Sequence, residues 1–171
     1  MSSGRMRMIR VDKISINIGV GESGDKLEKA KKVLKMLTGT APVETISRTT
    51  NKDLNIRKLQ PIGCKTTMRG KKAEAFIQKA FWVKNNRMAA YSFDKEGNFS
   101  IGIPDYTDFE GMKYDPEIGV FGMDICVTLT RPGRRVSRRR RAPGVIPRNH
   151  RVSKVEGIEF VRNKFKIEVI E

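Results

Sequence analysis

Residues 122–130 read Gly122-Met-Asp-Ile-Cys-Val-Thr-Leu-Thr130 and form the most regular pattern in the chain. Apolar Met123, Ile125, Val127 and Leu129 alternate there with more polar residues. Because successive side chains of a strand point to opposite faces, this alternation predicts a β-strand with one buried face and one polar face. Strands of this kind are typical of antiparallel sheets that are covered on one side only.

The same period of two recurs on both sides of this segment. It is clearest in Lys13-Ile-Ser-Ile-Asn-Ile-Gly-Val20, where three isoleucines share one face with Val20. Proline and glycine residues separate the segments, as expected for the ends of strands. The further predicted strands are residues 13–20, 43–47, 62–69, 98–103 and 165–170.

Three segments have the spacing of amphipathic helices. The first is predicted to begin with a capping box at Asp25 and Glu28 and to stop at Gly39, and the third begins with a capping box at Ser153 and Glu156. The second covers residues 71–84 and contains adjacent Phe81 and Trp82, of which only one can face inward. The buried positions expected in the three helices are Leu27, Ala30, Val33, Leu34 and Leu37, then Ala73, Phe76, Ile77, Ala80 and Phe81, then Val155, Ile158 and Val161.

These elements predict an α+β fold, a two-layer sandwich in which helices cover one face of a mostly antiparallel sheet and the other face stays open. We expect a single domain over residues 1–171. Residues 48–61 show no sustained period and are predicted to form an exposed loop. Residues 131–152, named here the arginine loop, contain three prolines and cannot form a continuous helix or an interior strand.

The composition points to a basic protein of a reducing compartment. The chain has 35 Lys and Arg against 19 Asp and Glu, a net charge of +16, and 38% hydrophobic residues, enough for an ordinary core. Arginines interrupt the N-terminal stretch where a signal peptide needs a continuous apolar run, so we expect a soluble, cytoplasmic protein. Cys64 and Cys126 are expected to be core or near-core thiols and not a disulfide.

The positive charge is concentrated in the arginine loop. From Arg131 to Lys154 the chain has nine arginines and one lysine and no acidic residue. Such a loop is expected to be poorly ordered alone, and phosphates of a nucleic acid are the expected neutralisers, since arginine pairs with phosphate in bidentate fashion. A solvated basic loop or a membrane-surface patch is the alternative, but no aromatic or leucine stripe is present to enter lipid.

Other motifs are weak evidence for chemistry. Gly19-Val-Gly-Glu-Ser-Gly24 has the form of a dinucleotide-binding turn, but no parallel βαβ pattern surrounds it, so it is interpreted as a sharp strand-to-helix turn. His150 is the only histidine and is interpreted as a neighbour of phosphate or base, which leaves no catalytic set and no metal site. An acidic group is expected to be a solvated loop and not a metal site: Asp105, Asp108, Glu110, Asp115 and Glu117.

The polar face of the predicted sheet completes the basic surface. Hydroxyl, amide and cationic side chains at such a face can meet the phosphates and 2′-hydroxyls of RNA. The residues expected on this face are Lys13, Ser15, Asn17, Lys65, Thr67, Arg69, Thr128 and Thr130. Beside the arginine loop, this face predicts a shallow RNA-binding platform.

Four segments in order resemble the signature sequences of the universal large-subunit ribosomal protein five family. They are Asn17-Ile-Gly-Val-Gly-Glu22, Pro61-Ile-Gly-Cys-Lys-Thr-Thr-Met-Arg-Gly70, Ser92-Phe-Asp-Lys-Glu-Gly-Asn-Phe-Ser-Ile-Gly-Ile103 and Tyr114-Asp-Pro-Glu-Ile-Gly-Val-Phe-Gly-Met-Asp-Ile125. The arginine loop resembles the archaeal and eukaryotic branch of that family.

The resemblance implies a structural constituent of the large ribosomal subunit and not an enzyme, without a cofactor, small-molecule substrate or membrane. It implies binding to 5S rRNA, attachment of 5S rRNA to 23S rRNA in the central protuberance, proximity to P-site tRNA, and a bridge to the small subunit. Other 5S-associated and small-subunit ribosomal proteins are the implied protein partners. The alternatives are a nonspecific nucleic-acid-binding protein and a nucleotide-dependent enzyme that uses residues 19–24.

The resemblance also assigns residues to these contacts. Lys13, from the predicted sheet face, joins the positions that match the 5S rRNA platform, and the platform residues are Lys13, Asn17, Lys65, Thr67 and Arg69. The loop at 48–61 matches the tRNA-facing loop, with Arg48, Thr50, Asn51, Lys52, Asn55, Arg57 and Lys58 as candidates. Other rRNA contacts are expected from Arg134, Arg135, Arg138, Arg139, Arg140, Arg141, Arg148, His150 and Arg151.

Overall fold

The computed structural model describes residues 4–170. Residues 1–3, which open the N-terminal stretch discussed above, and residue 171, which closes the predicted domain, lie outside this part. Within residues 4–170 no helix is both long and apolar enough to span a membrane. The elements of this range are β1 (Arg10–Gly19), α1 (Asp25–Thr38), β2 (Val43–Ile46), β3 (Pro61–Met68), α2 (Gly70–Val83), β4 (Arg87–Ala89), β5 (Phe99–Ile103), β6 (Met123–Thr130), α3 (Arg135–Arg138), α4 (Lys154–Phe165) and β7 (Glu168–Ile170).

Five strands form one antiparallel sheet in the order β2-β3-β1-β6-β5, and this confirms the predicted α+β class. A second sheet was not predicted: β4 pairs in parallel with β7, with Met88 opposite Val169. β4 has only three residues, too few to display a period of two. The last strand begins later than predicted, because α4 continues to Phe165 and Lys166 then adopts a left-handed conformation with φ 55°.

The described chain divides into two compact units, and the division falls within β1, β5 and β6. One unit, named the loop unit, contains residues 4–14, 69–100 and 127–170 and includes the arginine loop. The other, named the strand unit, contains residues 15–68 and 101–126. Each has its own buried apolar residues, and the single-domain organisation stays a prediction.

In the strand unit, α1 lies against β3 and buries four of its five predicted positions, Leu27, Ala30, Val33 and Leu34, whereas Leu37 is half-buried. The predicted capping box is wrong, because Gly24 is the N-cap and Asp25 is already helical. Asp25 and Glu28 instead place their carboxylates in the first turn, where they interact favourably with the positive end of the helix dipole. The helix ends at Gly39, as predicted.

Lys31 connects α1 to the edge strand of the strand unit. Its Nζ lies 2.7 Å from Glu28 Oε1 and also pairs with Glu44 on β2. The hydrogen bonds to these two carboxylates raise the pKa of Lys31 above its ordinary value. The pair at Glu44 connects two elements that are distant in sequence, so Lys31 orients β2 relative to α1.

In the loop unit, α2 buries all five predicted positions, from Ala73 to Phe81. The Phe81 ring packs at centroid distances of 5.8 Å from Phe99 and 5.6 Å from Phe165. Trp82 is 56% exposed, as expected for the neighbour of a buried side chain on a helix. Phe81 therefore joins α2 to β5 and α4.

The predicted buried face of α4 is partly wrong. The Ser153 capping box is present, with the Glu156 N–H donating to Ser153 Oγ at 3.4 Å and the Ser153 N–H donating to Glu156 Oε2 at 3.0 Å. Val155, however, is 65% exposed and Ile158 only half-buried, while the buried residues of the helix are Gly157 and Val161. α4 is thus rotated so that glycine meets the neighbouring turn.

The two cysteines have different environments. Cys64 is buried on β3, and its burial raises the pKa of its thiol to about 11. Cys126 was predicted to be a core or near-core thiol but is exposed, because it lies on the polar side of β6 together with Asp124. The prediction for Thr130, at the end of the same strand, is also wrong. It was expected on the polar face but is buried where the arginine loop begins.

Candidate nucleic-acid interface

The glycine motif forms a turn and not a nucleotide cradle. Gly21 has φ 79° and Gly24 has φ 107°, conformations that strongly favour glycine, and the chain reverses there from β1 into α1. The N–H groups of Val20 and Gly21 donate to the Ile62 carbonyl at 3.0 and 2.8 Å, so the backbone donors at the start of the turn are already satisfied. The turn connects β1 to α1, as interpreted from the sequence, and its two hydrogen bonds to Ile62 hold it against β3.

Polar residues of the predicted 5S platform lie on the strands of the strand unit. Lys65 and Thr67 are exposed on β3, between the buried residues Cys64, Thr66 and Met68. Asn17 is half-buried on β1, between buried Ile16 and Ile18. The alternation of burial along both strands directs these three polar side chains away from the apolar core.

Two further platform residues lie in the loop unit. Lys13 is half-buried on β1, next to buried Ile14. Arg69 is exposed and is the N-cap residue of α2 in an extended conformation, and its side chain makes no capping hydrogen bond. None of the carboxylates in residues 4–170 lies within ion-pair distance of Lys13 or Arg69. Both cations are therefore available to an external anion.

The loop at 48–61 is an ordered hairpin. Asn51 and Ile56 exchange backbone hydrogen bonds of 2.8 and 3.0 Å, and the Asp53 N–H donates to Asn51 Oδ1 at 2.9 Å. Below the tip, the Lys58 N–H donates to Thr50 Oγ1 at 3.1 Å. Backbone bonds between Ser47 and residues 59 and 60 close the base.

This hairpin presents polar and apolar groups together. Every candidate predicted in it is exposed, namely Arg48, Thr50, Asn51, Lys52, Asn55, Arg57 and Lys58. Sequence reasoning missed Leu54 and Leu59, which are also exposed, with Leu54 at the tip. Residues 48–61 have no regular apolar period, so their sequence does not distinguish a buried face from an exposed one. It therefore gives no sign that the two leucines face outward.

The arginine loop, in the loop unit, forms no continuous helix and no interior strand, as predicted. It contains the single turn α3 and a short 3₁₀ turn over Arg148–His150. The Gly144 N–H donates to the Val136 carbonyl at 3.1 Å, and Arg139 Nε donates to the Ala142 carbonyl at 2.7 Å. These bonds fold residues 142–144 back towards α3.

Most arginines of the loop have no acidic partner. Arg138 pairs with Asp12 at 2.8 Å and Arg151 pairs weakly with Glu96 at 3.5 Å. The remaining predicted contacts have no carboxylate of residues 4–170 within ion-pair distance: Arg134, Arg135, Arg139, Arg140, Arg141 and Arg148. Unneutralised guanidinium groups at this density repel one another and bind phosphate strongly.

His150 supports the loop and is only half-exposed. Its Nε2 donates to the Pro132 carbonyl at 2.9 Å, which connects the two ends of the arginine loop. That bond occupies one ring nitrogen, so an RNA contact of His150 would use the other face or Nδ1. The side chain therefore has a structural role besides its predicted contact.

Arg131 has a structural role that the sequence did not indicate. Its side chain is only 9% exposed, its Nη2 lies 2.5 Å from Glu156 Oε1, and its Nη1 donates to the Asn149 carbonyl at 3.3 Å. One arginine in a run of nine carries no sequence signal of its own. Because Glu156 also caps α4, Arg131 anchors the arginine loop to that helix.

Glu156 is expected to make the free energy of unfolding depend on pH in the acid range. The hydrogen bond from the Ser153 backbone and the charge of Arg131 hold the pKa of the Glu156 carboxyl below its ordinary value of 4.5. A carboxyl with a lowered folded pKa contributes stability above its unfolded pKa and loses it as pH falls through the folded value. The stability difference between the wild type and Glu156→Gln, measured by urea unfolding, should therefore narrow from about pH 5 to about pH 3. A constant difference would contradict this assignment.

The acidic group belongs to turns. The Asp105 side chain accepts the Thr107 N–H at 3.0 Å, and Asp115 accepts the Glu117 N–H at 3.0 Å. Among the residues that the structure describes, no cluster of histidine, cysteine and acidic side chains is arranged to hold a metal ion. Both aspartates thus have a local role in the backbone.

Comparison with known proteins gives consistent matches along the chain. The family described as Ribosomal protein L5 matches residues 5–57, and the C-terminal part of the same ribosomal family matches residues 61–160. The chain is 49% identical to the large ribosomal subunit protein uL5 of Sulfurisphaera tokodaii, over 97% of this chain and 94% of the relative. It is 50% identical to the protein of the same name from Thermoplasma acidophilum, over 96% and 98% of the two chains, and 50% identical to that of Methanococcus aeolicus, over 94% and 90%.

Proposed function

The chain belongs to the ribosomal protein L5 family, which makes it a structural protein of the large ribosomal subunit, and from this we propose that it binds 5S rRNA and attaches it to 23S rRNA in the central protuberance. In the same proposal it approaches P-site tRNA and contributes to a bridge with the small subunit. The predicted ribosomal membership is confirmed, and the nucleotide-dependent enzyme is set aside because the family is structural.

The 5S rRNA contacts are proposed for Lys13, Asn17, Lys65, Thr67 and Arg69. The observation that carries this assignment is the alternating burial of β3, which leaves Lys65 and Thr67 exposed between three buried residues. Hydroxyl and amide groups suit 2′-hydroxyls of RNA, while lysine and arginine suit its phosphates. A shallow RNA groove fits a flat strand surface of this composition.

Replacement of Arg69 by alanine should weaken 5S rRNA binding by about 1–3 kcal/mol, the usual contribution of one specific arginine contact. Arg69 has no ion pair with the described carboxylates and no capping role, so its loss should leave the free energy of unfolding nearly unchanged. Filter binding with purified 5S rRNA and urea unfolding of the same samples would measure both quantities. Arg57→Ala, in the hairpin, is the matched control and should bind 5S rRNA as the wild type does. Wild-type affinity of the Arg69 variant would remove this residue from the proposed site.

The hairpin at 48–61 is proposed to face P-site tRNA. Replacing Lys52–Asn55 by Asn-Gly should keep the pairing of Asn51 with Ile56, because a two-residue turn of this composition closes an antiparallel ladder. The shortened chain should bind 5S rRNA normally, and large subunits reconstituted with it should hold tRNA in the P site less tightly. Loss of 5S rRNA binding in this variant, with unchanged tRNA binding, would show that the hairpin is assigned to the wrong RNA.

The arginine loop is proposed to contact 23S rRNA through its phosphates. The six arginines without an acidic partner support this part of the proposal, because counterion release from RNA favours their binding. The remaining alternative is a nonspecific basic protein. Titration of 5S rRNA against an unrelated RNA of equal length at rising salt separates the two, since a specific site keeps its preference when the general electrostatic attraction weakens. Equal affinity for both RNAs at every salt concentration would favour the alternative.

A further inference from the structure

The arginine loop encloses a cleft, and the phosphate contacts proposed for the loop do not account for it. The cleft has a volume of about 540 Å³, within the range of small-ligand pockets, and lies entirely in the loop unit. We name it the loop cleft. Its walls come from the end of β6, from α3 and from the returning segments at 143–146 and 150–152.

One side of the loop cleft is apolar. Val145 and Ile146 line it together with Pro143, and Val145 is 86% exposed within the most basic segment of the chain. An uncovered valine in such a segment has no packing role. It offers an apolar contact to a group that enters from outside.

The other side carries positive charge. Arg131, Arg134 and Arg151 line the loop cleft, and Glu96 is the single carboxylate among its lining residues. Arg131 is neutralised by Glu156, whereas Arg134 has no described acidic partner and Arg151 has only the 3.5 Å contact to Glu96. In addition, Nε of Arg131 is buried without an acceptor among residues 4–170, so the wall holds an unsatisfied donor.

Two hydrogen bonds to backbone carbonyls support the walls. His150 Nε2 donates to the Pro132 carbonyl at 2.9 Å, and the Gly144 N–H donates to the Val136 carbonyl at 3.1 Å. The Cβ of an alanine at position 144 would lie 3.0 Å from Val136 Cγ1, so the returning segment packs closely on α3. The loop cleft therefore does not require the ligand to create its shape.

We propose that the loop cleft holds one unpaired RNA nucleotide, with its base on Val145 and Ile146 and its phosphate contacting Arg134 and Arg151. An apolar wall beside guanidinium groups matches a base joined to a phosphate, and unpaired bases are the parts of RNA that proteins enclose. RNA is favoured over an acidic peptide because a base can pack on the apolar side of the cleft while its phosphate contacts the guanidinium groups opposite, a combination that an acidic side chain does not offer. The inference rests on the proposed function, since it names the ligand of a loop proposed to bind rRNA.

The test compares Val145→Ser with Val155→Ser in the full-length chain. Both valines are exposed, but Val155 is on α4 and does not line the loop cleft. With purified 23S rRNA, Val145→Ser should weaken binding about fivefold, the order expected for the loss of a small apolar contact, and should leave the salt dependence unchanged. Arg134→Gln should instead make the negative slope of log K against log salt shallower by about one. Val155→Ser should behave as the wild type does.

Chemical probing identifies the nucleotide. One unpaired base that reacts with base-modifying reagents in free 23S rRNA should be protected by the wild type and by Val155→Ser but not by Val145→Ser. Identical affinity and protection with Val145→Ser would overturn the inference, and so would Val145-dependent binding of free mononucleotides or of a hexaglutamate peptide in place of RNA. Any of these results leaves the proposed function intact if the wild type still prefers 5S rRNA to the unrelated RNA. A wild type without that preference would contradict the proposed function itself.

Discussion

Replacing Arg139, Arg140 and Arg141 together by glutamine should reduce affinity for 23S rRNA by roughly a hundredfold or more at about 0.1 M salt. These side chains are exposed and have no acidic partner among the described residues, so each is free to neutralise a phosphate. Each such contact contributes about −0.9 to the slope of log K against log salt. The slope of the triple variant should therefore be less negative than that of the wild type by nearly three. Fluorescence anisotropy at several salt concentrations measures both the affinity and the slope.

A matched control removes the same charge elsewhere. Lys29, Lys32 and Lys35 lie on α1, outside the arginine loop, with Lys32 and Lys35 exposed and Lys29 half-buried, and their replacement by glutamine lowers the net charge equally. If the loop binds phosphates locally, this control should lose much less affinity than the arginine variant. Equal losses would mean that only the overall charge attracts the RNA. The arginine variant should unfold nearly as the wild type does, because the three side chains are exposed and the hydrogen bond from Arg139 Nε to the Ala142 carbonyl is local to the loop.

The sheet could be predicted from the sequence because its strands have one covered face. Each buried isoleucine of β1 is separated from the next by a polar residue, and burial follows this alternation from Ile14 to Ile18. The short pair β4 and β7 could not be predicted in this way. Three residues show no period, and their pairing depends on where α2 and α4 bring the chain.

The candidate interface was predictable where charge or alternation marks a residue. Lys65 and Thr67 were found because they lie opposite a buried row, and the arginine loop was found because it contains no acidic residue. The loop cleft was not predictable, since it forms only when residues 143–146 return to α3. The burial of Arg131 likewise depends on Glu156, which lies 25 residues further along the chain.

The packing of α4 shows most clearly what a pattern of apolar residues omits. The apolar spacing predicted Val155 on the buried face, whereas the structure buries Gly157 against the turn at Gly97. A helix approaches a backbone most closely where it has no side chain. Glycine does not count as an apolar residue in a hydrophobic pattern, so the pattern does not mark such a position as buried. The contact therefore determines the rotation of α4 without any signal in the apolar periodicity.

Substitution of Gly157 by alanine should lower the free energy of unfolding by about 2–3 kcal/mol, although alanine is the better helix former by about 1 kcal/mol. The added Cβ would lie 2.7 Å from the Gly97 carbonyl oxygen and 2.8 Å from its Cα, and both atoms belong to the backbone and cannot rotate away. α4 would have to move, and with it the Glu156 anchor of the arginine loop. Asn163→Ala, on the exposed side of the same helix, supplies the gain in helix propensity without the clash and should stabilise the chain slightly. Urea unfolding of both variants measures the two effects, and a Gly157 variant as stable as the Asn163 variant would show that the close approach of α4 to Gly97 is absent in solution.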